Sequence, residues 1–483
     1  MNRSTAFFVT AAALGLVALV VKLPSPNAPK PPEPVKVEPV KPPEPPKPEP
    51  VKGTPGSLSL SSKLSNPYIV PGSSDVFLTA DVTAVEVPGS KRAPVNMALV
   101  IDRSGSMSGE KIIHARQAAL ALLQQLDEHD RLTIVHFGSD VNVMAGQMVT
   151  EDNRRRMRNF INSIVDEGGT NIGGGLAAAK VQLDQGKSDF QVNRMVLVSD
   201  GQPTVGITSH AALARIASSY HANGITLTSI GVGYDFNEDL MTRLAALGGG
   251  SYAYLKDTSQ LAGIFSKDLQ QAGTVVARDV KLRFTLPSGV RFDEVMGRES
   301  QVSGNVVTVS MPDFSAGQVE RMVMRVTAQT PVVSCQGQRC DAPMEVAAVR
   351  LDYQDLLANH PADADARLSA LVTDDAKLAM DKRDKDVTVA AVRAQTAVNY
   401  RKAADAIAEN KPAEAQKALH QNEILFDDLD AQGVGDKVKG DRVQNNDYFG
   451  LTAPSASPEA RMNGTKAMKK QSLRSSGWGA SAY

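Results

Sequence analysis

Cysteine is nearly absent from this 483-residue chain, which has two, and formal charge is nearly balanced at −1, with 52 basic and 53 acidic side chains. Two cysteines cannot build a disulfide scaffold, a four-cysteine zinc site or an iron–sulfur cluster. A balanced charge supplies no broad field to capture nucleic acid or an anionic membrane, so a basic nucleic-acid binder is excluded. Aromatic residues make up 5% of the chain, with a single tryptophan, Trp478. Neither cysteine lies near the N-terminus, which excludes a lipoprotein anchor. At roughly 100 to 200 residues per domain, the length predicts two or three units, each able to bury its own core.

Proline is present but unevenly placed: 14 of the 27 lie between Pro24 and Pro55. Ahead of them, an uncharged apolar run extends from Thr5 to Val21 after Arg3, which reads as a secretion or anchoring signal over residues 1–22. No small-x-small cleavage site stands out near Val21. An uncleaved anchor with the remaining chain outside the cytoplasm is therefore expected, and secretion after cleavage is the alternative. Residues 23–56, with units such as Glu33-Pro34-Val35-Lys36, are expected to be an extended polyproline II spacer reaching roughly 100 Å.

The periodicity then changes three times. Residues 57–92 alternate apolar and polar, as in Asp75-Val76-Phe77-Leu78-Thr79-Ala80, and predict antiparallel strands. Residues 93–272 alternate short apolar runs (Val95 to Ile101, Leu132 to Phe137, Met195 to Ser199, Ile225 to Val232) with helix-length amphipathic stretches. That is the pattern of an α/β, doubly wound, mostly parallel sheet covered on both faces. Strand patterns return over residues 273–375, and neither β segment is large enough to close a sandwich alone. The expectation is one β-sandwich with the α/β domain inserted in it. Residues 380–432 predict a helical hairpin turning at Asn410-Lys411-Pro412. Residues 445–483 are polar, have no acid after Glu459, and predict a disordered tail in which Trp478 and Tyr483 are a potential docking motif. Cys335 and Cys340 fall in a predicted loop, where outside the cytoplasm they would form a small disulfide that pins the loop.

The stretch that carries chemistry is Leu99-Val100-Ile101-Asp102-Arg103-Ser104-Gly105-Ser106, an apolar strand running into an Asp-x-Ser-x-Ser loop. In open α/β sheets, ligands bind outside the carboxyl ends of the strands, where this loop must lie. Thr170, in Gly168-Gly169-Thr170-Asn171, and Asp200, after the apolar run Val196-Leu197-Val198-Ser199, fall at equivalent positions. Asp102, Ser104, Ser106, Thr170 and Asp200 are all hard oxygen donors. They select Mg²⁺, with Mn²⁺ or Ca²⁺ as alternatives, and are too sparsely charged to enclose it, leaving a place for an outside oxygen.

With those residues the chain resembles the von Willebrand factor type A domains, over about Pro94 to Gln271. Arg131 to Phe137, Asp200-Gly201-Gln202-Pro203-Thr204 and Ile230-Gly231-Val232-Gly233 are similar to bacterial members near the calcium-activated chloride channel and inter-α-inhibitor heavy-chain groups. The resemblance implies that the five residues form a metal-ion-dependent adhesion site. A protein partner's Asp or Glu carboxylate would complete its shell. Catalytic readings fit poorly. Gly105-Ser106-Met107-Ser108-Gly109 puts methionine where a hydrolase elbow needs its nucleophile, Gly173-Gly174-Gly175 lacks a phosphate-binding lysine, and His114 and His136 read as packing or surface residues. An exported, metal-dependent binding module is expected, with an envelope scaffold that binds without metal as the alternative.

Overall fold

The computed structural model describes residues 56–87, 92–233, 236–255, 269, 274–330 and 341–475. The expected N-terminal anchor, the expected spacer as far as Pro55, Cys335, Cys340, Trp478 and Tyr483 lie outside them. Among the described residues no helix is long and apolar enough to cross a membrane.

Strands β1 (Leu58–Leu64), β2 (Tyr68–Ile69) and β3 (Gly72–Ala84) precede the α/β domain. The domain itself carries β4 (Val95–Asp102), β5 (Arg131–Phe137), β6 (Val141–Met148), β7 (Val192–Ser199), β8 (Thr226–Val232) and β9 (Gly249–Leu255), in the order β6-β5-β4-β7-β8-β9. Every pairing is parallel except that of β6, an antiparallel edge strand. All residues of β4, β7 and β8 are buried, as their near-continuous apolar sequence requires of strands covered on both faces. Helices α1 (Glu110–Gln125) and α2 (Glu151–Asn162) cover one face, and α3 (Ile172–Gly186), α4 (His210–Ala222) and α5 (Glu238–Leu247) the other. Local sequence starts four of these helices: Thr150, Asn171, Ser209 and Asn237 each accept a first-turn backbone N–H on the side chain.

The chain then returns to the sandwich with β10 (Val275–Thr285), β11 (Val290–Val295), β12 (Gln301–Ser303), β13 (Val306–Ser310), β14 (Phe314–Ser315), β15 (Val319–Thr330), β16 (Asp341–Asp355) and β17 (His360–Thr373). One sheet runs β1-β3-β15-β11 and the other β12-β13-β10-β16-β17-β2, with β14 beside β10. Strands from before and after the insertion thus share both sheets. Leu78 and Val82 share one core with Leu282, Phe284 and Leu351.

The C-terminal region departs from expectation. After α6 (Ala376–Asp381), the predicted hairpin is present as α7 (Lys385–Ala408) and α8 (Pro412–Ala431). Two more helices follow, α9 (Lys439–Gly450) and α10 (Pro458–Ser475), where a disordered tail was expected from residue 445. The missed helices have few apolar residues because polar groups do part of their packing. Asn445 is fully buried and donates to Glu423 Oε1 and the Leu419 carbonyl, while its own oxygen accepts from Asn422. In α10, Met468 is fully buried, and Lys469 pairs with Asp239 and Asp405 at 3.3 and 3.2 Å. Lys466 lies 4.4 and 4.3 Å from the ring centroids of Phe236 and Tyr254 and donates to the Gly233 carbonyl at 3.2 Å. Tertiary contacts therefore supply helical stability that the local pattern lacks. Lys466→Ala is expected to cost about 1 kcal/mol through the lost cation–π and hydrogen-bond contacts. Hydrogen exchange should then rise in α10 ahead of α7.

Candidate functional site

Strand β4 is flanked by β5 and β7, so its carboxyl end is at the centre of the sheet edge. Asp102 closes the strand and is fully buried. Its two oxygens are held separately: the backbone N–H of Ser104 donates to Oδ1 at 2.9 Å, and the Ser199 hydroxyl donates to Oδ2 at 2.5 Å. Ser199 Oγ in turn accepts from Gly201 N–H at 2.9 Å, which fixes the turn carrying Asp200. Burial pushes the Asp102 carboxyl up to about 6, against the opposing hydrogen bonds from Ser104 and Ser199, and the Asp200 charge adds to the rise.

After Asp102 the chain makes a short 3₁₀ turn, Gly105–Met107, with Ser104 just before it and Ser106 inside it. Their hydroxyl oxygens lie 3.1 Å apart. Neither serine caps a helix: α1 begins after Gly109, and the Ser104 side chain makes no capping bond. Gly105 N–H donates to the Gly168 carbonyl at 2.9 Å, and Glu167 N–H to the Arg103 carbonyl at 2.6 Å, so the first and second loops are tied through backbone. Thr170 is joined to the third loop. Its N–H donates to Thr204 Oγ1 at 2.8 Å, and its carbonyl accepts from the N–H groups of Thr204 and Val205. The structure thus brings all three predicted loops together. Asp102, Ser104, Thr170 and Asp200 are buried, whereas Ser106 is exposed, so the site opens to solvent at that serine.

Asp200 is the anomaly. Its carboxylate is 1% exposed, and neither oxygen has a hydrogen-bond partner. Its recorded ion pair is with Lys111 of α1, at 3.5 Å. A buried carboxylate is ordinarily hydrogen-bonded or paired closely, because desolvation of the charge is otherwise uncompensated. This unsatisfied anion, beside three hydroxyl residues and a second carboxylate, fits a hard divalent cation, and the donor set suits no soft metal.

Four residues outside the motif position it. Arg103 is nearly buried and reaches Asp140 at 2.7 Å and Glu167 at 3.2 Å, clamping the neighbouring loops. Ser199, Thr204 and Lys111 complete this group. Ser199 was legible only as the residue before Asp200 and Thr204 only as the end of Asp200-Gly201-Gln202-Pro203-Thr204, while Lys111 carried no signal in the sequence. His136 packs against Phe160, ring centroids 5.2 Å apart, and burial pushes its pKa down to about 4, in keeping with a packing role. A cavity of about 500 Å³ lies elsewhere, lined by Arg243, Lys281, Glu299 and Arg401 among others, and none of the five predicted ligands borders it.

Residues 96–267 match the von Willebrand factor type A domain family. This part of the chain is a von Willebrand factor type A domain. The chain is 31% identical over 206 residues to the protein YfbK of Escherichia coli (strain K12), covering 42% of this chain and 36% of that one. It is 28% identical over 245 residues to sll0103 of Synechocystis sp., covering 48% and 57%. It is 29% identical over 181 residues to human inter-alpha-trypsin inhibitor heavy chain H4, covering 36% and 20%. The chain thus spans about a third to just over half of the length of the first two relatives. Among solved structures, a von Willebrand factor type A protein from Catenulispora acidiphila superposes with a TM-score of 0.65 at 16% identity, over 87% of this chain and 97% of that one. The ArnB paralog VWA2 from Sulfolobus acidocaldarius gives 0.52 at 20% identity, over 86% and 99%. At such identities these two structures speak for the fold alone. Domains of this type are typically protein-interaction modules.

Proposed function

We propose that the chain is a metal-dependent protein-binding module displayed outside the cytoplasmic membrane. Asp102, Ser104, Ser106, Thr170 and Asp200 would hold Mg²⁺, or Mn²⁺ or Ca²⁺ in its place. The single observation that supports this most is the buried Asp200 carboxylate without hydrogen bonds. When bound, the cation supplies a Lewis-acidic position for one oxygen of a partner's Asp or Glu side chain. The chain's own groups do the rest: Ser104 N–H and the Ser199 hydroxyl orient Asp102, and the Arg103 clamp holds the adjoining loops. Exposure of Ser106 leaves the approach open on that side.

Domains of this family are typically interaction modules, which supports the reading of a binding protein. The apolar N-terminal run and proline spacer support display on a membrane-anchored stalk. Capture of cell-envelope proteins on the immobilised chain tests the proposal. A partner should be retained in Mg²⁺ and lost in EDTA and with Asp102→Ala. Equal retention in all three conditions would show a scaffold that binds without metal.

A further inference from the structure

We infer that Lys111 is the site's built-in counter-ion, and that a divalent cation binds by exchanging with its ammonium group. The inference rests on the metal-site reading above. Lys111 Nζ lies 3.5 Å from Asp200 Oδ2, close enough to offset the buried charge and longer than an ordinary hydrogen bond. Both Asp200 oxygens therefore keep their lone pairs for another ligand.

The surroundings hold the lysine in that place and leave it a way out. It stands in the first turn of α1, just after Gly109 starts the helix. Its stem passes over Gly233 at the end of β8, where a Cβ would sit 2.4 Å from Lys111 Cε and where φ is +83°. A side chain at Gly233 would evict the lysine, which gives the last glycine of Ile230-Gly231-Val232-Gly233 a steric reason. The Gly233 carbonyl is in turn held by Lys466 of α10, so the bundle braces the wall against which the lysine rests. Lys111 is 18% exposed, whereas Asp200 is 1% exposed, so the ammonium has a path to water that the carboxylate lacks. The role asks for one positive charge on a flexible stem, which lysine supplies.

Two cations at one carboxylate repel, so a docked ammonium and a bound divalent ion disfavour each other. A monovalent ion replaces one charge with one charge and gains little. A divalent ion brings an additional charge, and Lys111 thereby sets the site's preference for doubly charged ions.

Calorimetric titration of the full chain with Mg²⁺ and Mn²⁺, in wild-type, Lys111→Met and Lys111→Arg forms, tests the exchange. Lys111→Met should bind Mg²⁺ about tenfold more tightly and show faster hydrogen exchange in β4 and β7 than wild type in EDTA, with Lys111→Arg staying near wild type. In the unmodified protein, acylation of Lys111 by an amine-reactive label, read by mass spectrometry, should rise several-fold when Mg²⁺ is added. That measurement stands even where Lys111→Met does not fold. Equal or weaker Mg²⁺ binding by Lys111→Met, or unchanged labelling, would overturn the exchange while leaving the metal site intact. Absence of divalent binding in every form would overturn the metal site itself, and the exchange with it.

Discussion

Asp200→Ala is expected to abolish the stabilisation that Mg²⁺ confers on the α/β domain. A ligand that binds only the folded form stabilises it by about 2.7 kcal/mol when present at 100 times its dissociation constant. The wild-type chain should show an increment of that order between EDTA and saturating Mg²⁺, and Asp200→Ala none. The direction in EDTA is also informative. The wild-type protein there buries a carboxylate whose recorded ionic partner is 3.5 Å away and partly exposed, so removing it relieves a desolvated charge. Asp200→Ala in EDTA should be at least as stable as wild type, the opposite of an ordinary core lesion. Because the sandwich and the α/β domain have separate hydrophobic cores, hydrogen exchange in β4 and β7 is the appropriate probe, in preference to a single melting temperature. An equal Mg²⁺ increment in both proteins would remove Asp200 from the site.

Glu320→Ala is expected to be the most destabilising substitution in the sandwich, at about 3–5 kcal/mol. Glu320, on β15, is fully buried and pairs with the nearly buried Arg298 at 2.7 Å, while Gln318 donates to its other oxygen at 3.0 Å. Loss of the carboxylate takes a charged partner away from a guanidinium held in the interior. Replacing both partners by apolar residues, as in Arg298→Met with Glu320→Leu, should recover most of that loss, since an ion pair taken out of water gains little net energy over a packed apolar pair. The sandwich also packs against α7 through Met296, Val323, Ala390 and Ala394. Hydrogen exchange should therefore rise in β15 and α7 together. If the double variant is as unstable as Glu320→Ala, the guanidinium is not the cause.

How far the fold could be read in advance depended on how each part stores its stability. The strands β4, β7 and β8 keep theirs in continuous apolar runs, and their boundaries in the structure lie within a few residues of the sequence reading. The inserted arrangement was legible for a related reason, since two β segments too small to stand alone imply one sandwich. β6 was missed because it is an edge strand whose one antiparallel neighbour leaves it half-exposed, without an apolar run. α9 and α10 were missed because part of their packing uses Asn422, Asn445, Lys466 and Lys469, residues that mark solvent in most sequences. The three loops were legible because strand ends place them on one edge. Lys111 was invisible as a site residue: it is an ordinary first-turn lysine until the fold carries Asp200 to it from a distant strand.

The metal site is tested most directly by a crystal structure of the chain grown with Mn²⁺, with the ion located by its anomalous scattering. One manganese ion bounded by Asp102, Ser104, Ser106, Thr170 and Asp200, with the Lys111 ammonium displaced from Asp200, is the expected result. A saturated crystal with no manganese among those residues and Lys111 still beside Asp200 would overturn it.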